Sequence, residues 1–97
     1  MNKRDIINDY LRFLRTESNA RLSLIPGNTM DLPIYIYDGA HQMAKKDVYS
    51  HLNLDDEKYL ELFDEIYAYF REKLIERDHF SEADDLTVEA VESGKFD

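Results

Sequence analysis

Histidines are the side chains in this sequence best suited to acid–base or metal chemistry, and their spacing argues against both. His41, His51 and His79 stand 10 and 28 residues apart, so neither HxxxH nor any other local zinc pair forms. The chain has no cysteine, hence no thiolate nucleophile, no Cys-based metal site and no disulfide framework. There is no GxSxG elbow, and Ser50-His51 is an adjacency, not a triad. Neither GxGxxG nor GxxxxGKS/T occurs, which removes the phosphate-cradling loops recognisable from sequence. Asp55-Asp56-Glu57 lacks the glycine and alternating oxygen ligands of an EF-hand loop, and suits instead the positive end of a helix. In Tyr37-Asp38-Gly39-Ala40-His41 an acid and an imidazole could meet in a turn, which keeps a small hydrolytic or metal-dependent enzyme using Asp38 and His41 as an alternative. An Asp-Gly turn explains that phrase without chemistry. The expectation is a protein that is not an enzyme, with no catalytic residue, metal or cofactor.

The second chemical feature is charge. Residues 1 to 50 carry seven Lys/Arg and six Asp/Glu, residues 51 to 97 five and fifteen, and the whole chain has a formal net charge of −9. Clustered cations are confined to Lys3-Arg4 and Lys45-Lys46, too few for direct binding of nucleic acid or an anionic membrane surface. Glu57, Glu61, Glu65, Glu72 and Glu76 fall on one line of a predicted helix, and their i,i+4 pairs are all of like sign. Opposite charges occur only at i,i+3, as Asp55–Lys58, Lys58–Glu61 and Lys73–Glu76. Each like-sign pair costs about 0.2 to 0.5 kcal/mol, small against a domain stability of roughly 5 to 15 kcal/mol. Such a face is either merely solvated or meets a basic surface on another macromolecule, where complementary charge speeds encounter.

Nucleic-acid mimicry is the sharper form of that idea. Glu57 to Glu76 spans about 28 Å of helix axis, along which one DNA strand presents roughly eight phosphates, against five glutamates here. Asp64, Asp78, Glu82, Asp84 and Asp85 extend the field if the tail lies beside the helix. In charge and size the chain resembles the small acidic inhibitors of phages and mobile elements, which block DNA- or RNA-binding enzymes such as restriction or CRISPR nucleases. The resemblance implies an inhibitor or regulator whose partner is a protein with a basic surface. Seven tyrosines and no tryptophan suggest further contacts. Tyr10, Tyr59 and Tyr67 belong to apolar helix faces, whereas Tyr35, Tyr37 and Tyr69 are candidate interface anchors if exposed. A homodimer formed through the broad helix stripe is the alternative from another class.

These residues need elements to position them. Asn2 caps a first helix in which Ile6, Ile7, Tyr10, Phe13 and Leu14 recur at three-and-four spacing up to about Thr16. Glu17-Ser18-Asn19 reads as a break. Arg21 to Ile25 alternates like a strand, Pro26-Gly27-Asn28 supplies a turn, and Leu32 to Tyr37 reads as a second strand, with Pro33 at its start or on an edge. Ala40 to Leu52 reads as a short helix with Met43, Ala44, Val48 and Leu52 as its stripe. From Asp55 to about Asp78 a long helix carries Tyr59, Phe63, Ile66, Phe70 and Leu74 on one face, widened by Leu60, Leu62, Tyr67 and Ile75. Asp55 is its expected N-cap, with Leu54 and Tyr59 as a hydrophobic staple.

In the acidic segment 81–97, Leu86 to Val91 is either an edge strand or disordered. The expected fold is therefore α+β: a small antiparallel hairpin or three-stranded sheet packed on the first helix and the long helix, with residues 1–80 as the compact domain. At 97 residues one core is what the chain can build. No apolar run approaches the length of a membrane span, and Met1-Asn2-Lys3-Arg4-Asp5 does not lead into a signal-peptide core. A cytoplasmic protein is the expectation.

Overall fold

A computed structural model describes residues 2–24 and 34–97 of the chain. Four helices follow in order: α1 (Lys3–Leu22), α2 (Ile34–His51), α3 (Lys58–Arg77) and α4 (Phe80–Glu92). No strand occurs among the described residues, so the expected α+β fold, with its hairpin or three-stranded sheet, is corrected to an all-helical one.

The start of α1 follows the sequence reading: the Asn2 side chain accepts from the Asp5 backbone N–H at 2.9 Å. Its end does not, because the helix runs through Glu17-Ser18-Asn19 to Leu22. Ser18 and Asn19 are weak helix formers, but Ser18 continues the buried line of Ile7, Leu11 and Leu14. Glu17 and Arg21 add an i,i+4 ion pair at 2.5 Å. Tertiary burial outweighs propensity here. Arg21 and Leu22 are consequently helical and Ser23 and Leu24 form a turn, while Ile25, the Pro26-Gly27-Asn28 turn, Leu32 and Pro33 lie outside the described residues.

The remainder of the second expected strand, Ile34 to Tyr37, is the first turn of α2. Four alternating residues fit a strand and one helical turn equally well; the buried positions further along decide between them. Ile36, Tyr37, Ala40, His41, Ala44 and Val48 form one buried helical stripe. Likewise, Leu86 to Val91 belongs to α4, whose buried Ala83, Thr87, Ala90 and Val91 recur at helical spacing. Gly94 stops that helix at φ 88°, with the Lys95 N–H on the Ala90 carbonyl at 3.1 Å and the Gly94 N–H on the Val91 carbonyl at 3.2 Å. This is the Schellman arrangement, in which glycine takes the left-handed position without a Cβ clash.

α1 packs along α2 and α3 along α4, and α2 joins the two pairs by contacting α3. The small residues Ala40 and Ala44 of α2 are fully buried, so backbones approach closely on that face. Aromatic rings fill the centre. Tyr10 stacks on Phe63 with centroids 4.7 Å apart, Tyr37 stacks on Phe80 at 5.6 Å, and Phe70 meets Phe80 edge-on at 5.7 Å. One core thus receives side chains from all four helices. The molecule measures 40 × 26 × 16 Å. Among the described residues, no helix is long and apolar enough to cross a membrane.

Candidate functional site

The long helix places Glu57, Glu61, Glu65, Glu72 and Glu76 at exposed positions, opposite its buried line of Phe63, Ile66, Phe70 and Leu74. Glu57 stands at the N-cap without a side-chain capping bond. The cap is supplied instead by Asp56, not the expected Asp55: its carboxylate accepts from the Lys58 backbone N–H at 3.0 Å, and that bond lowers its pKa below the ordinary value. The Lys58 ammonium also lies 3.5 Å from Asp56, so the expected Lys58–Glu61 pairing gives way to a closer partner. Lys73 reaches Glu76 at 3.0 Å. Among the described residues, Glu57, Glu61, Glu65 and Glu72 make no ion pair. Glu61 and Glu65 border an open groove of about 350 Å³ whose other walls are Lys3, Lys58, Tyr59 and Leu62.

Asp64, expected on the same acidic face, turns toward α2. Its Oδ1 receives His41 Nε2 at 2.7 Å and Lys45 Nζ at 2.9 Å. Burial pushes the Asp64 carboxyl upward, but the bonds and charges of Lys45 and His41 outweigh it and hold the pKa below the ordinary range. The tyrosines also separate. Tyr35 is 75 % exposed whereas Tyr37 is buried against Phe80, so the two do not share a surface. Tyr69 is half-buried, edge-on to Phe96, with the Lys73 and Lys95 ammoniums each 5.3 Å from its ring centroid.

Inside the fold lies a polar cluster that the sequence reading missed. On one side of His41, Nδ1 is 2.7 Å from the hydroxyl of Tyr10, which is fully buried. On the other side is Asp64, and the imidazole stacks flat on Tyr67 at 4.3 Å. Because the Asp64 carboxylate can only accept, Nε2 carries the proton; Nδ1 is then an acceptor for the Tyr10 O–H. Asp38, the expected companion of His41, is occupied elsewhere: it accepts from the Tyr67 hydroxyl and from Arg71 Nε, the latter at 3.0 Å. Burial and the Asp38 carboxylate together raise the Tyr67 phenol far above its ordinary pKa. Asp38 and His41 therefore sit three residues apart on one helix and serve different partners across it. The His41 side chain is 4 % exposed and the Asp64 side chain 52 %, so this chain of groups runs from the buried Tyr10 through the ring to solvent at Asp64.

No three metal-ligating side chains gather among the described residues. Comparison with family models, curated proteins and solved structures finds no match to the chain. A signal for His41 was available: it follows Ala40 and precedes Ala44 by three residues, on the apolar face of a helix that the sequence reading began too late. No such signal marks Tyr10 and Asp64 as its partners, since they come from two other helices.

Proposed function

We propose that this protein is a small acidic binding module that engages a basic surface on a protein partner and thereby inhibits or regulates it, the partner being a DNA- or RNA-binding enzyme. The observation that carries this reading is the set of exposed glutamates on α3, of which Glu57, Glu61, Glu65 and Glu72 make no ion pair among the described residues, although Lys3 and Lys58 share a groove with Glu61 and Glu65. Ordinary solvent-facing helices lace such positions with lysines at i,i+4, because the pairing is favourable. Leaving a row of like charges open costs a little stability and creates a field that attracts a cationic surface over about a Debye length.

The test is capture from the source cell with wild type and with a Glu61→Lys/Glu65→Lys variant, followed by association kinetics with the captured protein at several salt concentrations. The expected partner is lost by the variant. Its association with wild type slows steeply between about 50 and 200 mM salt, and its own DNA or RNA competes for the same surface. Equal capture by both proteins, with salt-independent rates, overturns the reading.

A further inference from the structure

The buried imidazole of His41 joins three helices through bonds whose direction depends on its protonation. Tyr10 faces it from α1, Asp64 and Tyr67 from α3, and Lys45 and Asp38 from its own helix, α2. Among the described residues, α4 adds no titratable group to these surroundings. In the neutral state every hydrogen bond is satisfied: Tyr10 donates to Nδ1, and Nε2 donates to Asp64. Proton uptake from solvent can occur only at Nδ1, because Nε2 already carries its hydrogen. The new Nδ1–H must then donate to the Tyr10 oxygen, and the bond that the Tyr10 hydroxyl donated is broken. His41 Nδ1 is the one hydrogen-bond partner of that hydroxyl among the described residues, and leaving a buried donor unpaired carries a desolvation penalty.

We propose that the Tyr10–His41–Asp64 chain is an acid-operated latch: protonation of His41 at Nδ1 reverses its bond to Tyr10 and loosens α1 from α2 and α3. The Asp64 side of the latch holds, since an imidazolium donates to a carboxylate more strongly than a neutral ring does. Release is therefore one-sided, at the α1 contact.

Several groups pull on this proton. Burial, the largest influence, disfavours the charged ring; the hydrogen bond and charge of Asp64 favour it, Lys45 opposes it and Asp38 supports it. Burial prevails, and His41 titrates below the ordinary 6.5. The unfolded chain consequently takes up the proton first as pH falls. The latch contributes its full stability above about pH 6.5 and loses it as pH drops through the lower folded value. Asp64, held below 3.8, stays ionised through that window, so its own protonation does not cause the change.

The experiment is a pH titration of the full-length, ¹⁵N-labelled protein from 7.5 to 4.5, reading the His41 ring nitrogens and the amide protection factors of each helix. At neutral pH His41 is expected as the Nε2–H tautomer. As it titrates below 6.5, protection in α1 falls by about tenfold or more while the α3–α4 pair keeps its protection. In Tyr10→Phe the bond between the ring and α1 is absent in both protonation states, so the acid-dependent step in α1 disappears. An Nδ1–H tautomer, a midpoint at or above 6.5, or unchanged protection in α1 would overturn the latch. These wild-type readings decide the matter even if Tyr10→Phe folds poorly.

Discussion

Phe63 and Phe70 occupy fully buried positions on α3, and each contacts a ring from another helix, Tyr10 in the first case and Phe80 in the second. Deleting either ring leaves a cavity that its neighbours cannot close without breaking a stack. Phe63→Ala and Phe70→Ala are each expected to cost about 3 to 5 kcal/mol in chemical denaturation. A loss below about 1 kcal/mol at both would place the stripe outside the core. At this scale the sequence was informative about α3, because apolar residues repeated over 20 residues define one helical face and no other. It was uninformative about polar partners. Asp38 and His41 are neighbours in sequence, yet Asp38 bonds Tyr67 and Arg71 while His41 bonds Tyr10 and Asp64. Which carboxylate meets which ring depends on how three helices cross, and no local pattern encodes that.

Helix boundaries depend on residues that a local reading treats as punctuation. Gly39 reads from sequence as part of an Asp-Gly turn, but it lies inside α2, where an added Cβ would approach the flexible Arg21 side chain at 3.6 Å, an ordinary contact. Gly39→Ala is expected to stabilise the fold by about 0.5 to 1 kcal/mol, since alanine loses less backbone freedom in a helix. Gly94 should respond in the opposite direction. Its φ of 88° is left-handed, and a Cβ there would meet Asp97 at 3.1 Å, so Gly94→Ala lowers the melting temperature. A stabilising Gly94→Ala, or a destabilising Gly39→Ala, would contradict the boundaries of α4 or α2. The same contrast explains the missed helices. Short β-branched and aromatic runs such as Ile34-Tyr35-Ile36-Tyr37 and Leu86-Thr87-Val88 favour strands when taken alone. What makes them helical is burial further along, at Ala40 and Val48 in one case and Ala90 and Val91 in the other.

Charge is a property of the whole molecule, and a net −9 means that folding gathers like charges together. Within α4, Glu82, Asp84, Asp85, Glu89 and Glu92 stand without a lysine or arginine in the same helix. Of these, Asp84 is held by Arg15 of α1, whose Nε lies 2.9 and 2.7 Å from its two oxygens. On α3, Glu61 is in the first turn, where a negative charge gains about 0.3 to 1 kcal/mol from the helix dipole. That gain offsets its repulsion from Glu57 and Glu65, at about 0.2 to 0.5 kcal/mol per pair. Reversing Glu61 should therefore leave stability nearly unchanged. Glu65 lies beyond the first turn and has the repulsion without the compensation. Glu65→Lys converts its contact with Glu61 from a repulsion to an attraction and is expected to stabilise the isolated protein by about 0.4 to 1 kcal/mol at low salt. The gain should shrink toward zero in about 1 M salt, where screening acts over roughly 3 Å, and wild type should become more stable over the same range. Urea denaturation of both proteins at several salt concentrations measures this. A destabilised Glu65→Lys would mean that Glu65 is held by a structural contact and is not free to face a partner.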